Sequence, residues 1–273
     1  MGGKTMRLKG KVTMITGSTR GLGKEFAIGF AKEGSDVVIH GRNIEKAKAV
    51  AKEIEELGVR TNAVSGDVSI YRDVEQMVEE AVRSFGRVDI LVNNAGVNPS
   101  ILEAEKIGEE GWDQVLDVNL KGVFLCCQVV GKRMMKQGGG KIINIASAAG
   151  IIGEQGFLPY CVSKAGVIML TRVLAYEWSR YHILVNAIAP GIVAGGMNTP
   201  ILKKEPLVSG LASQIPLKRL ANPEEIVKIA LFLASEDSSY INGATLLADG
   251  GMTGYRPTGF IDLIGEMMKK KGS

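Results

Sequence analysis

Four residues carry the chemistry open to this chain: Asn119, Ser147, Tyr160 and Lys164. Tyr160 and Lys164 stand four apart, a spacing that on a helix sets both side chains on one face, about a turn apart. A tyrosine titrates near pH 10, so its phenolate is scarce at neutral pH, and lowering that value by about 3 units takes roughly 4 kcal/mol. One positive charge at about 4 Å supplies roughly 4 kcal/mol at an effective dielectric near 20. Lys164 is therefore sufficient to make Tyr160 a general acid/base. Ser147 closes a predicted strand, where its hydroxyl can hold a reacting oxygen. Asn119 falls inside a predicted helix, where asparagine is only a modest helix former and so asks for a reason. Taken alone, a Tyr and a Lys at this spacing describe the edge of an amphipathic helix equally well. Cys161, beside the tyrosine, reads as packing.

A second constellation precedes the first. Thr16-Gly-Ser-Thr-Arg-Gly-Leu-Gly23 joins a predicted strand to a predicted helix. Glycines at 17, 21 and 23 permit a tight turn, and a helix N-terminus offers unpaired N–H groups and partial positive charge to a phosphate. The spacing is G-x-x-x-G-x-G, neither G-x-G-x-x-G nor a P-loop. A turn serving strand–helix packing alone would read the same.

These residues need a scaffold, and the hydrophobic pattern describes one. Predicted strands are Lys11–Thr16, Asp36–His40, Val59–Gly66, Val88–Val92, Lys141–Ala146, Ile183–Ile188 and Thr245–Ala248. Predicted helices run Gly21–Gly34, Asn43–Leu57, Ile70–Phe85, about Gly111–Gln137, about Tyr160–Tyr181 and Pro223–Ala234. Such alternation predicts an α/β fold: a single doubly wound, Rossmann-type domain over 1–273 with a mostly parallel seven-stranded sheet and right-handed crossovers.

Composition excludes other classes. With 45% hydrophobic and 23% charged residues in 273, the chain has material for a full core. A net charge of +4 without a basic stripe suggests no nucleic-acid partner. Three cysteines, two of them adjacent, and two histidines, His40 and His182, make neither a disulfide framework nor a metal cluster. The N-terminus lacks a signal-peptide pattern, and the longest charge-free stretch contains Pro190 and Pro200. The expectation is a cytoplasmic protein with no membrane segment.

Thr16-Gly17-x3-Gly21-x-Gly23, Asn93-Asn94-Ala95-Gly96, Asn119, Ser147, Tyr160-x3-Lys164 and Pro190-Gly191, in that order along nearly the whole chain, resemble the short-chain dehydrogenase/reductase family. The resemblance implies an NAD(P)-dependent oxidoreductase acting on a secondary alcohol/ketone pair. It implies that Tyr160 exchanges the hydroxyl proton and Ser147 holds the substrate oxygen. Lys164 would lower the Tyr160 pKa and bind the nicotinamide ribose, and Asn119 would order a relay water. Cofactor contacts would come from Gly17, Ser18, Thr19, Arg20, Gly21, Leu22 and Gly23. Further contacts would come from Arg42, Asn43, Asp67, Val68, Asn94, Ala95, Gly96, Pro190, Gly191 and Val193. Asp67 would meet the adenine, with Ser69 capping the following helix and leaving Asp67 free. Where an acid would select NAD stands Gly41, followed by Arg42; with Arg20 this favours NADP over NAD.

The chain departs from the family pattern at Gly195, where a threonine is expected; Thr199 comes late. Segment 192–217, loop-like and carrying Lys203 and Lys204, would be a substrate lid, and 150–158, with Glu154 and Gln155, the opposite wall. The extension 252–273 has helical spacing at Phe260, Ile261, Ile264 and Met267 and would pack on a neighbouring subunit. A homotetramer through the helices at about 111–137 and 155–180 and the last strand is implied. Gly41-Arg42-Asn43 and Ile215–Arg219 look most like gluconate 5-dehydrogenase-type members, which interconvert a sugar acid and its keto form. A hydroxysteroid dehydrogenase, a 3-oxoacyl-carrier-protein reductase and a non-catalytic NADP-sensing protein are the alternatives.

Overall fold

The computed structural model describes residues 6–98, 101–195 and 205–254. Seven strands form one sheet: β1 Val12–Ile15, β2 Asp36–His40, β3 Thr61–Val64, β4 Ile90–Asn93, β5 Gly140–Ile145, β6 Ile183–Pro190 and β7 Thr245–Ala248. Their order is β3-β2-β1-β4-β5-β6-β7 and every pairing is parallel. Parallel strands must be covered on both faces, so they are near-continuous apolar runs; β1 and β4 are buried throughout.

Eight α-helices supply the cover among the described residues: α1 Gly21–Lys32, α2 Ile44–Glu55, α3 Tyr71–Phe85, α4 Glu109–Leu116, α5 Gly122–Gln137, α6 Leu158–Trp178, α7 Glu205–Ser213 and α8 Pro223–Ala234. Phe26 and Phe30 of α1, Ile54 of α2 and Ile226 of α8 pack with Ile15, Ile39 and Val92 on one face. Val74 and Met77 of α3, Val130 of α5 and Val167 of α6 pack with Met14, Leu91 and Ile142 on the other. By length and composition the stretch Leu158–Tyr181 could cross a membrane. In the fold it lies over the sheet, with Lys164, Val167 and Thr171 buried.

The winding reverses between β1 and β4, the topological switch point where ligands bind beyond the carboxyl ends of the strands. The turns after β1, β2, β4, β5 and β6 all open on that edge.

Two expectations need correction. The helix from about Gly111 to Gln137 is not continuous: Asp117–Lys121 forms a π-helical turn between α4 and α5, and Asn119 sits within it. A π-bulge of this kind recurs at functional sites, which answers why an asparagine stands there. Segment 192–217 is not wholly loop, because α7 lies inside it.

Candidate active site

The turn after β1 is built on Gly17 and Gly23. Gly17 has φ +66°, and a Cβ there would stand 2.9 Å from the Ala95 Cα. A Cβ on Gly23 would meet the Gly17 carbonyl oxygen at 2.2 Å, so only glycine lets α1 start this close to the turn. Thr16 and Asn94 tie the turn to the end of β4. Thr16 Oγ1 accepts from the Asn94 and Ala95 amides at 3.0 Å each, and Asn94 Nδ2 donates to the carbonyls of Thr16 and Gly17 at 3.0 and 3.2 Å. Arg20 makes no side-chain cap bond, and the first turn of α1 holds no acidic residue. Its leading amides are thus free of internal competitors for an anion.

The second constellation meets the first at the same edge. Ser147 caps a short 3₁₀ turn, its Oγ accepting from the Ala149 amide at 3.2 Å, and its hydroxyl is also hydrogen-bonded to Tyr160. The Tyr160 ring is half-buried and set edge-on to Phe157, with centroids 6.3 Å apart. Lys164 is buried, its Nζ donating to the Ile145 carbonyl at 2.7 Å and lying 5.7 Å from the centre of the Tyr160 ring. Asn119 Oδ1 accepts from the Val97 amide at 2.7 Å, and its Nδ2 donates to the Val97 carbonyl at 2.9 Å and to Ser163 Oγ at 3.4 Å. A Cβ on Gly96 would fall 3.3 Å from Asn119 Oδ1 and 3.8 Å from Lys164 Nζ. The Asn-Asn-Ala-Gly turn therefore packs directly on the tyrosine–lysine corner.

The expected depression of the Tyr160 pKa is not realised in the protein by itself. Burial of the hydroxyl pushes it above the usual tyrosine value, and the Ser147 bond opposes that only in part. Lys164 is itself desolvated, which weakens it as the charge assumed from sequence; burial brings its own pKa down to about 8.

Known proteins resemble this chain along nearly its whole length. The family model for enoyl-(acyl carrier protein) reductase matches residues 17–253. The 3-oxoacyl-[acyl-carrier-protein] reductase FabG of Thermotoga maritima is 41% identical over 249 residues, spanning 90% of this chain and 99% of that protein. The short-chain dehydrogenase/reductase family is the one these share. This chain belongs to it. Among solved structures, a gluconate 5-dehydrogenase from Burkholderia cenocepacia, determined with NADP and tartrate, superposes with a TM-score of 0.88 at 35% identity. It covers 92% of this chain and 98% of its own. A second solved structure, from Agrobacterium tumefaciens, gives 0.88 at 34% identity, with 92% and 99% covered.

As a member of the family the chain is an oxidoreductase, and the remaining site residues sort themselves within that frame. At the end of β2, Gly41 is buried against Thr19: a Cβ there would meet Thr19 Cγ2 at 2.5 Å. Arg20 and Arg42 are both exposed, and among the described residues neither forms an ion pair. Asn43 is engaged as the N-cap of α2, its Oδ1 accepting from the Lys46 amide at 3.0 Å. Ser18 is buried, its hydroxyl donating to the Ile15 carbonyl at 2.8 Å and accepting from the His40 amide at 2.9 Å. Ser18 and Asn43 therefore shape the turns with their side chains. Leu22 and Gly21 lie in the first turn of α1, Gly21 with φ +53°.

Asp67 is not the free carboxylate expected. Its Oδ1 accepts from the Ser69 amide at 2.9 Å and the Ser69 hydroxyl at 2.6 Å. Ser69 in turn is not the cap; α3 starts after Ile70 without a side-chain cap. Burial alone would raise the Asp67 pKa, but the Ser69 bonds and the Arg42 charge outweigh it and hold the carboxyl below its usual range. Val68 is buried, and its side chain abuts Gly122 at the start of α5. Asn93 faces inward: its Nδ2 donates to Asn144 Oδ1 at 2.8 Å, joining β4 to β5.

After β6, Pro190 pairs with Ala248, and a Cβ on Gly191 would meet the Asp249 Cα at 2.8 Å. Val193 bridges to Ala221, and Gly195 turns with φ +95° into open space. Thr199, Lys203, Lys204 and the spacing at 260–267 lie outside the described residues. Glu154 and Gln155 are exposed, and the three cysteines are free thiols.

One contributor escapes the motif reading. Opposite Thr16, which the motif already holds, His40 grips the glycine turn through a Gly17 amide donating to its Nδ1 at 3.0 Å. It sits at the end of a strand beside a ligand turn, and that position is the signal that could have found it.

Proposed function

We propose that this protein catalyses the NADP-dependent interconversion of a secondary alcohol and a ketone, with a sugar acid such as gluconate/5-ketogluconate as the substrate pair. The observation that carries the reading is the convergence of Ser147, Tyr160 and Lys164 with the anion-receptive first turn of α1 on one sheet edge.

The residues fit NADP. Gly17 and Gly23 leave a cradle that any Cβ would fill, and Gly41 with Thr19 leaves no room for the acid that would select NAD. Arg20 and Arg42, both exposed and without a salt bridge among the described residues, would supply guanidiniums for a 2′-phosphate. The NADP in the Burkholderia structure supports the same choice. NADP supplies or takes up the hydride. Gly21, Leu22 and Gly23 would receive its pyrophosphate, and Asp67, Val68, Asn94, Ala95 and Gly96 would line the adenosine side. Pro190, Gly191 and Val193 would line the nicotinamide side.

In this reading Ser147 donates a hydrogen bond to the substrate oxygen and holds it against Tyr160. Tyr160, kept protonated by burial, donates its proton to that oxygen as the ketone is reduced. In the reverse direction it must receive the proton, which needs added positive charge nearby. Lys164 orients the ribose hydroxyls and supports the tyrosine. Both Nδ2 donors of Asn119 are engaged with Val97 and Ser163, so a relay water there would be held by an acceptor oxygen of this residue.

Segment 192–217, with α7, is proposed as the lid over the substrate. A homotetramer and a cytoplasmic location belong to the same proposal. Reduction of a 3-oxoacyl group on a carrier protein is a second reading of comparable support, favoured by the 41% identity to FabG. Nicotinamide absorbance followed with NADPH or NADH, against 5-ketogluconate and acetoacetyl thioesters, tests both. Turnover of the keto acid, faster with NADPH, is expected. Turnover of the thioester alone gives the second reading, and turnover of neither sinks both.

A further inference from the structure

His40 ends β2 two residues before Arg42 and is 2% exposed. Both of its ring nitrogens have partners. Nδ1 lies 3.0 Å from the Gly17 amide nitrogen, which can only donate, so Nδ1 must be the bare acceptor. Nε2 lies 3.1 Å from the Gly66 carbonyl oxygen, which can only accept, so Nε2 must carry the proton. The two partners thus fix one tautomer of a neutral ring, and a doubly protonated ring would point a donor at a donor.

What the ring joins gives it a role. Gly17 is the hinge of the turn before α1, and its carbonyl is held from the other side by Asn94 Nδ2 at 3.2 Å. With His40 on its N–H, the Gly17 peptide is gripped at both ends while it holds φ +66°. Gly66 immediately precedes Asp67, the residue next to the adenosine side in the reading above. We infer that His40 is a positioning residue for the dinucleotide: its neutral Nε2–H imidazole holds the turn after β1 and the turn after β3 at a set separation, so that both halves of the ligand meet a preformed site. This inference rests on the cofactor reading of the preceding subsection.

The surroundings keep the ring neutral. Burial pushes its pKa below the ordinary histidine value, against the opposing pull of the Gly66 carbonyl and the Asp67 carboxylate. Asp67 is itself balanced by Arg42 and by its two bonds from Ser69. The backbone of His40 adds to the staple: its carbonyl accepts from the Ser18 amide at 2.9 Å, and its own amide donates to Ser18 Oγ at 2.9 Å. Those main-chain bonds survive a change of side chain, so substitution tests the imidazole alone.

The test uses the full chain and two variants. His40→Leu removes both ring bonds and strands the Gly17 amide. His40→Asn restores an acceptor near the place of Nδ1 but cannot reach Gly66. NADPH affinity by fluorescence titration, KM for NADPH, and kcat at saturating cofactor are measured for each. His40→Leu is expected to raise the NADPH Kd and KM about tenfold, the equivalent of one orphaned buried donor, and to leave kcat within about twofold. His40→Asn is expected to recover part of the lost affinity. A Kd and KM unchanged in His40→Leu, with only the melting temperature lowered, would show a purely structural residue and overturn the inference.

A readout without cofactor separates this from the parent reading. Side-chain ¹⁵N resonances of the wild type, assigned with His182→Gln because the chain has two histidines, should show His40 as the Nε2–H tautomer. They should also show no titration at the ordinary histidine pKa. An Nδ1–H tautomer, or normal titration, overturns the inference. If the tautomer is as stated but NADPH and NADH fail to bind the wild type, the cofactor reading falls, and with it the role given to a clamp that still exists.

Discussion

Lys164 is buried with no carboxylate partner among the described residues, and that burial has a measurable consequence in Lys164→Met. Desolvation brings the lysine to about 8 from an unfolded value of 10.5. The unfolded chain therefore binds more protons between those two values, and stability rises with pH across that window. Below about pH 8 the lysine is charged in both states and its cost is constant. Above 10.5 it is neutral in both and the cost is gone. The full swing is about 3 kcal/mol, and between pH 7 and pH 10 about 2.5 kcal/mol of it is recovered. Methionine fills nearly the same space without a proton to lose. It also orphans the Ile145 carbonyl, which adds a penalty of its own. That penalty does not titrate, so it shifts the variant's stability at every pH alike and leaves the slope untouched. Urea unfolding of wild type and Lys164→Met at pH 7, 8, 9 and 10 isolates the lysine, since every other titrating group is common to both. The wild type should gain about 2.5 kcal/mol on the variant over that range, equivalent to about 5–10 °C in melting temperature for a chain of this size. Parallel curves would mean that Lys164 keeps an ordinary pKa in the folded protein, and the account of a desolvated, poised ammonium would be wrong.

The remaining predictions follow from single contacts. Tyr160→Phe should lower kcat by roughly 10²–10⁴ while leaving NADPH affinity near wild type, as read by single-turnover absorbance and fluorescence titration; near-normal turnover would refute the proton-donor assignment. Arg42→Ala should weaken NADPH about tenfold or more and leave NADH unchanged, because only the former carries the 2′-phosphate. Gly41→Asp alone should destabilise the protein without producing an NADH enzyme, since the new Cβ meets Thr19 Cγ2. Gly41→Asp with Thr19→Ala should shift the NADPH/NADH ratio of kcat/KM toward NADH. Gly23→Ala should abolish dinucleotide binding, because its Cβ would collide with the Gly17 carbonyl oxygen and Asn94 Nδ2; retained binding in a titration would show that the turn has slack.

The parts of this protein that were legible in the sequence are those written in local patterns. Seven apolar runs alternating with helical periodicity describe a parallel sheet covered on both faces, because no other arrangement buries such strands. The ordered motifs identify which strand ends carry the site. What the sequence did not reveal is set by contacts between segments. The π-helical turn at Asp117–Lys121 costs helix geometry, and its return is the Asn119–Val97 bonding, a contact across 22 residues. No periodicity within the helix announces it. Asp67 and Ser69 depart from their expected arrangement for a similar reason: the carboxylate accepts from an amide and a hydroxyl two residues on, and neither side chain caps α3.

Tyr160 shows the limit of arguing from charge and spacing alone. A lysine one turn away is close enough in sequence to depress a phenol, yet the fold directs Nζ to the Ile145 carbonyl and buries both groups. Desolvation then outweighs the Ser147 bond, and the resting tyrosine stays protonated. Under the proposed function that asymmetry would suit the protein as folded to reducing a ketone, whereas oxidising an alcohol would need extra positive charge nearby. The pH dependence of turnover in both directions is thus expected to follow how deeply two side chains on one helix are buried, while the equilibrium is set by substrate and cofactor alone.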